Sequence, residues 1–167
     1  MRASLRLLCS IAAVSVLLVS LAPVARAEPS AIYLVRHAEK AEGKDPDLTP
    51  QGQARARSIA AILHRAGVKT IYSTPTVRAR QTAAPLAQRT GLTVELYDPL
   101  APLALVEKVR SLSGAVLVVG HSNTLPELVK LFGGAPGSDI LDDEFDRLYQ
   151  LLPGADGKVR TILLGTP

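Results

Sequence analysis

The 167-residue sequence contains a single cysteine, Cys9, and no tryptophan. Cys9 lies in an N-terminal segment that we expect to be removed, which leaves a chain without a thiol. Such a chain has no disulfide, no thiol nucleophile and no cysteine-ligated zinc site. Four tyrosines and two phenylalanines supply all of the aromatic side chains, too few to predict the stacking platforms that bind single-stranded nucleic acids.

The excess of positive charge is also small. Of the 19 Lys and Arg residues, three lie in residues 1–27, a segment without acidic residues, so residues 28–167 carry 16 basic against 15 acidic side chains. A net charge of +1 gives no electrostatic footprint for a nucleic-acid partner, and we expect none.

Residues 1–27 have the layout of a secretory signal peptide. Two arginines in the first six residues precede a mostly apolar stretch at 7–22, and Ala25-Arg26-Ala27 matches an A-x-A cleavage site. A retained membrane anchor is the alternative, but the stretch is shorter than the roughly 20 residues of a spanning helix. We expect cleavage before Glu28, export to the periplasm or the medium, and membrane contact only through the leader.

Residues 28–167 are predicted to form a single domain in which strands and helices alternate. The predicted strands are 31–36, 69–73, 93–97, 115–120, 147–153 and 158–164. The predicted helices lie between 50 and 67, over 76–90 with a bend at Pro85, around 105–112 and after Thr124. This order predicts an α/β fold, a three-layer α/β/α sandwich with a mostly parallel sheet. Residues 115–120, the most hydrophobic strand, are expected at its centre, and the C-terminal hairpin is expected to add antiparallel edge strands.

Local signals support several of these elements. Thr49 before Pro50 is typical of an N-cap followed by proline in the first helical turn. Thr124 followed by Glu127 fits a capping box. Gly154-Ala155-Asp156-Gly157 suits the turn of the C-terminal hairpin.

Basic side chains follow three of the predicted strands. Arg36 and His37 stand at the end of the first strand, Arg78 follows the second, and His121 follows the strand 115–120. In open α/β sheets, ligands bind in the crevice outside the carboxyl ends of the strands. We therefore expect these four side chains to share one site.

The four side chains suit a phosphoryl group. An unprotonated imidazole nitrogen of His37 can attack phosphorus, and neighbouring arginines favour that neutral form. The forked guanidinium groups of Arg36 and Arg78 can hold the phosphoryl oxygens. His121 can contact the same oxygens and, if protonated, stabilise charge that develops on them.

Each of these residues also has an ordinary structural interpretation. An Arg-His pair is most often surface or capping chemistry, His121 fits a satisfied residue at a strand end, and Arg78 fits a solvated first-turn side chain. Their occurrence at three strand ends of one small sheet favours the catalytic interpretation. His64 has no such pattern and is interpreted as a surface residue.

Four sequence blocks resemble the histidine phosphatase superfamily, which has the phosphoglycerate-mutase-like fold. They are Leu34-Val35-Arg36-His37-Ala38-Glu39-Lys40, Leu48-Thr49-Pro50-Gln51-Gly52-Gln53-Ala54, Ser73-Thr74-Pro75-Thr76-Val77-Arg78-Ala79-Arg80-Gln81-Thr82-Ala83 and Val118-Val119-Gly120-His121-Ser122-Asn123-Thr124. Ala38 replaces the usual glycine of the first block. The blocks follow in order with plausible spacing, so together they are specific.

The resemblance implies a phosphohistidine intermediate on His37, with no metal and no cofactor. It implies Arg36, Arg78 and His121 as the phosphate pocket, with Arg78 chosen over Arg80 because it precedes Ala-x-Gln-Thr. It also implies a general acid after the third strand.

Asp98 is the first candidate for that acid and Glu107 the second, although Asp98-Pro99 also suits an ordinary turn. Compact phosphohistidine-type members have no obvious acid, because a phosphoramidate leaves more easily.

The chain is closest in size to the compact phosphohistidine phosphatases, whereas its leader is more like exported members that act on lipopolysaccharide phosphates. Ser122 stands where the phytase-like branch has an aspartate. Five acidic residues are interpreted as a solvated loop, with a lid or a cation site as the alternative: Asp139, Asp142, Asp143, Glu144 and Asp146.

These observations predict an exported phosphoric monoester hydrolase that acts on a phosphoester or a phosphoramidate. Its expected substrate is a small phosphorylated molecule or a phosphorylated component of the cell envelope. A phosphate-binding module without catalysis is the second hypothesis, and a sugar-phosphate mutase is the third.

Overall fold

The computed structural model describes residues 28–167, which form one six-stranded sheet covered by helices. In chain order the elements are β1 (Pro29–Arg36), α1 (Pro50–Leu63), β2 (Val68–Ser73), α2 (Val77–Thr90), β3 (Val94–Leu96), α3 (Pro102–Arg110), β4 (Gly114–Gly120), α4 (Leu125–Leu131), β5 (Arg147–Pro153) and β6 (Val159–Gly165). Each predicted strand and helix is present, with bounds that differ by a few residues.

The strand order is β3-β2-β4-β1-β5-β6. The first four strands of this order are mutually parallel, and β5 and β6 add antiparallel pairs beside β1. β4 lies between β1 and β2 and is almost wholly buried, which confirms its predicted central place. The carboxyl ends of β1, β2 and β4 therefore meet at one edge of the sheet.

Two hydrophobic clusters separate the sheet from the helices on its two faces. One joins Ile59 and Leu63 of α1 and Leu86 of α2 to the sheet. The other joins Val109 of α3 and Leu128 of α4 to the opposite face. Alternate residues of each strand point to opposite faces, so the apolar strands supply both clusters at once. The predicted three-layer sandwich is confirmed.

The predicted cap of α1 is confirmed, because the Thr49 hydroxyl accepts a hydrogen bond from the Gly52 N–H at 3.1 Å. The predicted capping box of α4 is wrong. Thr124 is the N-cap residue, but its side chain makes no cap hydrogen bond to the helix. Its hydroxyl instead accepts the His121 N–H at 3.1 Å. Pro85 lies inside α2 as expected.

Gly52 is required where α1 passes the chain that leaves β1. A Cβ atom at this position would lie 2.1 Å from the Glu39 carbonyl oxygen. The glycine therefore lets the first turn of α1 pack directly against the segment that carries His37.

The predicted signal peptide lies outside the described residues. Within residues 28–167, every helix is too short or too polar to cross a bilayer.

Candidate active site

The predicted site residues stand at the edge where β1, β2 and β4 end. The His37 N–H donates to the Gly120 carbonyl at 2.9 Å, which ties the end of β1 to the end of β4. The Ala38 N–H donates to the Thr82 hydroxyl at 3.0 Å, and this hydroxyl donates to the Arg78 carbonyl at 2.8 Å. The backbone at His37 is thus fixed to both β4 and α2.

The hydrogen bond of the His37 ring determines its tautomer. Nδ1 lies 2.8 Å from the Ala38 carbonyl oxygen. A carbonyl can only accept, so Nδ1 carries the proton and Nε2 keeps its lone pair. The residue is only 3% exposed, and its ring lies edge-on to the His121 ring with centroids 5.2 Å apart. In the neutral ring, this arrangement leaves Nε2 as the nucleophilic nitrogen.

His121 is held by threonines. Its Nε2 lies 2.9 Å from the hydroxyl of Thr74, which is fully buried after β2. The Thr124 hydroxyl accepts the His121 N–H, as described for α4. The ring is therefore oriented from two neighbouring strand ends, beside the ring of His37.

The Arg36 guanidinium is fixed by the loop that precedes β5. Its NH1 donates to the carbonyl oxygens of Leu141 and Glu144, each at 2.8 Å. The guanidinium carbon also lies 4.0 Å from the centroid of the Phe145 ring, a cation–π contact. Arg36 is 6% exposed, so the charge is held in one place in a largely dry environment.

Arg78 stands in the first turn of α2 and is paired with Asp45. Its NH1 lies 3.1 Å from Asp45 Oδ1, and the same carboxylate accepts the Val77 N–H at 3.0 Å. Asp45 thus replaces the missing side-chain cap of α2 and holds the guanidinium on one side. The Arg78 side chain is 17% exposed.

Two of the guanidinium nitrogens are left without partners. Nε of Arg36 and Nε of Arg78 are buried and donate to no acceptor among the described residues. Buried donors are nearly always satisfied, so such atoms call for a ligand or another explanation. An oxyanion bound by the two arginines would lie at the edge of the sheet that carries His37.

Burial shifts the titration of both histidines. It lowers the pKa of His37 to about 4, helped by the nearby His121, Arg78 and Arg36. Burial, with Arg78 and Arg36, also lowers the pKa of His121 to about 4, against a smaller opposing effect of Asp45. Both rings are neutral at physiological pH, which leaves His37 ready to attack phosphorus.

We expect an NMR titration of the free protein to show two imidazoles with midpoints near pH 4, absent in His37→Ala and His121→Ala respectively. The unfolded chain binds these protons nearer pH 6.5, so it takes up more protons between pH 6.5 and 4. Stability should therefore fall as pH is lowered through this window. Bound tungstate should raise both midpoints, because an anion favours imidazolium. Midpoints near pH 6.5 for the His37 and His121 resonances in the free protein would contradict this assignment.

Within residues 28–167, no hydrogen bond or ion pair joins the two candidate acids to the arginines and histidines of the site. Asp98 is exposed after β3, where its carboxylate accepts the Leu100 N–H at 2.9 Å and closes a turn. Glu107 is exposed on α3. Asp45 is an acidic side chain that contacts the site directly, through its ion pair with Arg78.

The acidic loop, residues 138–146, is partly solvated as predicted. Asp139, Asp142, Asp143 and Asp146 are exposed, whereas Glu144 is half-buried against Arg147. Within residues 28–167, no cluster of three His, Cys, Asp or Glu side chains could hold a metal ion. The loop instead contributes its backbone carbonyls to Arg36.

Three residues that contact the site side chains are not predicted from the sequence: Thr74, Asp45 and Phe145. Thr74 lies in the sequence block 73–83 that resembles the family. Its position directly after a predicted strand is the signal that could have identified it as a site residue. Asp45 and Phe145 lie in irregular segments without periodicity, and Phe145 sits within the acidic run.

A cavity of about 720 Å³ lies elsewhere, near the start of β1 and the turn of the β5–β6 hairpin. It is lined by Pro29, Phe132 and Lys158, among others, and by no histidine. Chemistry, and not the size of a concavity, therefore locates the site.

Comparisons with known proteins identify a family that the chain resembles. The family model of the histidine phosphatase superfamily (branch 1) matches residues 32–105, a span that includes Arg36, His37 and Arg78. No curated protein matches the sequence significantly.

Solved structures resemble the chain over most of its length. A candidate phosphohistidine phosphatase, SixA, from Agrobacterium tumefaciens is 25% identical, with a TM-score of 0.61 over 82% of this chain and 97% of its own. The protein histidine phosphatase SixA in complex with tungstate is 20% identical, with a TM-score of 0.62 over 82% and 97%. A mycobacterial glucosyl-3-phosphoglycerate phosphatase is 15% identical, with a TM-score of 0.59 over 82% and 98%. The family match and these likenesses confirm the predicted resemblance of the chain to the histidine phosphatase superfamily.

Proposed function

We propose that this protein is a phosphatase that transfers a phosphoryl group to His37 and then to water. The observation that carries the proposal is the hydrogen bond of the His37 ring, in which Nδ1 donates to the Ala38 carbonyl, so that Nε2 of the neutral ring is left as the nucleophile. The guanidinium groups of Arg36 and Arg78, each held through NH1, supply the positive charge and donors that a phosphoryl group needs.

The first step forms a bond between His37 Nε2 and phosphorus as the bond from phosphorus to the leaving group breaks. The leaving group takes the electron pair and is protonated. Arg36 and Arg78 neutralise charge on the phosphoryl oxygens as it builds up, and His121 contacts the same oxygens. In the second step, water attacks the phosphohistidine, releases inorganic phosphate and restores the neutral ring.

Asp98 remains the proposed proton donor for an alcohol leaving group, with Glu107 as the second choice. Within residues 28–167 the Asp98 carboxylate forms no ion pair, and its turn lies at the carboxyl end of β3. A phosphoramidate needs less help, because its nitrogen can leave once protonated from solvent. The requirement for Asp98 should therefore depend on the substrate.

The proposed substrates are phosphohistidine and small phosphorylated molecules. SixA proteins, described as phosphohistidine phosphatases, and a glucosyl-3-phosphoglycerate phosphatase both share the fold. We also propose that the protein is exported after cleavage before Glu28. Outside the cytoplasm, its substrate would be a phosphorylated component of the cell envelope. A mutase would use the same first step and then return the phosphoryl group to a second hydroxyl.

Purified protein should release inorganic phosphate from an aryl phosphate or phosphohistidine, keep its activity in EDTA and lose it in vanadate. Vanadate mimics five-coordinate phosphorus, and the site residues are assigned to phosphoryl chemistry instead of metal binding. The measurement is phosphate release over a panel of phosphoesters and phosphohistidine, with each treatment.

A His64→Ala variant is the matched control, because this histidine is exposed on the surface. Activity that disappears in EDTA and returns with a divalent ion would indicate a metallohydrolase. Phosphoryl transfer between sugar hydroxyls without phosphate release would indicate a mutase.

A further inference from the structure

The acidic loop is fastened to the start of β5 by one side chain, Arg147. Its NH1 donates to the Ser138 carbonyl at 2.6 Å, and its NH2 donates to the Asp139 carbonyl at 3.0 Å. Its Nε and NH2 bind the two oxygens of the Glu144 carboxylate, the second at 2.9 Å. A single guanidinium thus joins both ends of the loop, and it is only 12% exposed.

The Glu144 carboxylate, which binds Arg147, also stabilises the turn 141–144. It accepts the Leu141 N–H at 3.2 Å, while the Glu144 N–H donates to the Leu141 carbonyl at 3.1 Å. The carbonyls of these two residues are the ones that hold Arg36 NH1. Phe145, the next residue, places its ring over the same guanidinium.

The strand register places the two arginines side by side. Val35 of β1 pairs with Leu148 of β5, so Arg36 and Arg147 occupy the next position on neighbouring antiparallel strands. Both side chains therefore leave the sheet on one face. Their like charges are separated by the turn 141–144, which offers carbonyls to Arg36 and a carboxylate to Arg147.

We propose that Arg147 is a positioning residue, which holds the turn 141–144 so that the Arg36 guanidinium keeps a fixed direction toward a bound oxyanion. The inference rests on the proposed function, because it assigns Arg36 to phosphate. NH1 is occupied by the two carbonyls, so the turn determines which donors of the fork remain for ligand. Without Arg147, the Arg36 guanidinium would keep its charge but lose its fixed direction. A donor stabilises a bound oxyanion most strongly when it is already oriented before the ligand arrives.

The test is a double-mutant cycle on tungstate affinity, measured by calorimetry on the full chain. Arg147→Gln should weaken tungstate binding about tenfold in the wild-type background and less than about twofold in an Arg36→Ala background, because contacting networks are not additive. kcat for an aryl phosphate should fall with the affinity. Arg147→Lys should recover part of the loss.

Arg160→Gln is the matched control, since Arg160 is an exposed arginine on β6 of the same hairpin. It should leave tungstate affinity unchanged. If Arg147→Gln does not fold, Glu144→Gln decides the matter, because it weakens the same pairing and should lower affinity in the same direction.

Unchanged tungstate affinity in folded Arg147→Gln and Glu144→Gln would overturn the positioning role. An equal loss in the Arg36→Ala background would also overturn it, because Arg147 would then act by another route. Failure of the wild-type protein to bind tungstate would instead reject the phosphate pocket, and the positioning role with it.

Discussion

His37→Ala should abolish turnover while the protein still folds. The ring supplies the nucleophile of the first step in the proposed reaction, and loss of a nucleophile in other enzymes lowers kcat on the order of 10⁴-fold or more. The side chain contacts His121 and Phe145 at the edge of the sheet instead of the two hydrophobic clusters. Circular dichroism and the melting temperature should therefore stay close to those of wild type.

The measurement is rapid-quench mass spectrometry with an activated aryl phosphate, with acid avoided because phosphohistidine is labile. Wild-type protein should carry the phosphoryl group on His37. His121→Ala should bind phosphate more weakly and react more slowly, with the label still on His37. A label on His121, or wild-type turnover by His37→Ala, would show that the two roles are assigned wrongly.

Arg78→Ala should lower kcat on the order of 10²–10³-fold, the usual effect of removing a preorganised donor. Arg80→Ala should change it by no more than about twofold, since exposed charges contribute little. The two residues are two positions apart on α2, yet Arg78 is largely buried with an unpartnered Nε and Arg80 is exposed. Steady-state kinetics of the two variants makes the comparison.

The Asp45→Asn variant separates two explanations for that effect. It weakens the ion pair to Arg78 but keeps an oxygen to accept the Val77 N–H. If Arg78 acts by binding phosphate, Asp45→Asn should stay far closer to wild type than Arg78→Ala does. Equal losses in Arg78→Ala and Arg80→Ala would mean that the second arginine block has been aligned wrongly.

The sequence predicted the parts of the site that regular structure positions. Strand periodicity and the rule for strand ends are enough to bring His37, Arg78 and His121 to one edge of the sheet. The N-cap at Thr49 was readable for the same reason, since caps depend on a few neighbouring residues. The hydroxyl of Thr124 was assigned to α4, but it binds the His121 backbone because that partner is equally near.

The loop contacts were not predictable in this way. Arg36 is held by the carbonyls of Leu141 and Glu144, and any residue type supplies a carbonyl. The partners are more than a hundred positions apart, in a loop with no hydrophobic period. Asp45 likewise reaches Arg78 from an irregular segment, so its role depends on tertiary structure alone.

The place of β1 has a consequence for the order of events during synthesis. β1 is made first, but its two neighbours, β4 and β5, are residues 114–120 and 147–153. Until β5 emerges, one edge of β1 is open, and an unpaired apolar strand is a template for association with another nascent chain. The residue we assign as nucleophile therefore gains its complete surroundings only after residues 141–153 have been made, so a chain that terminates before them would be aggregation-prone and inactive.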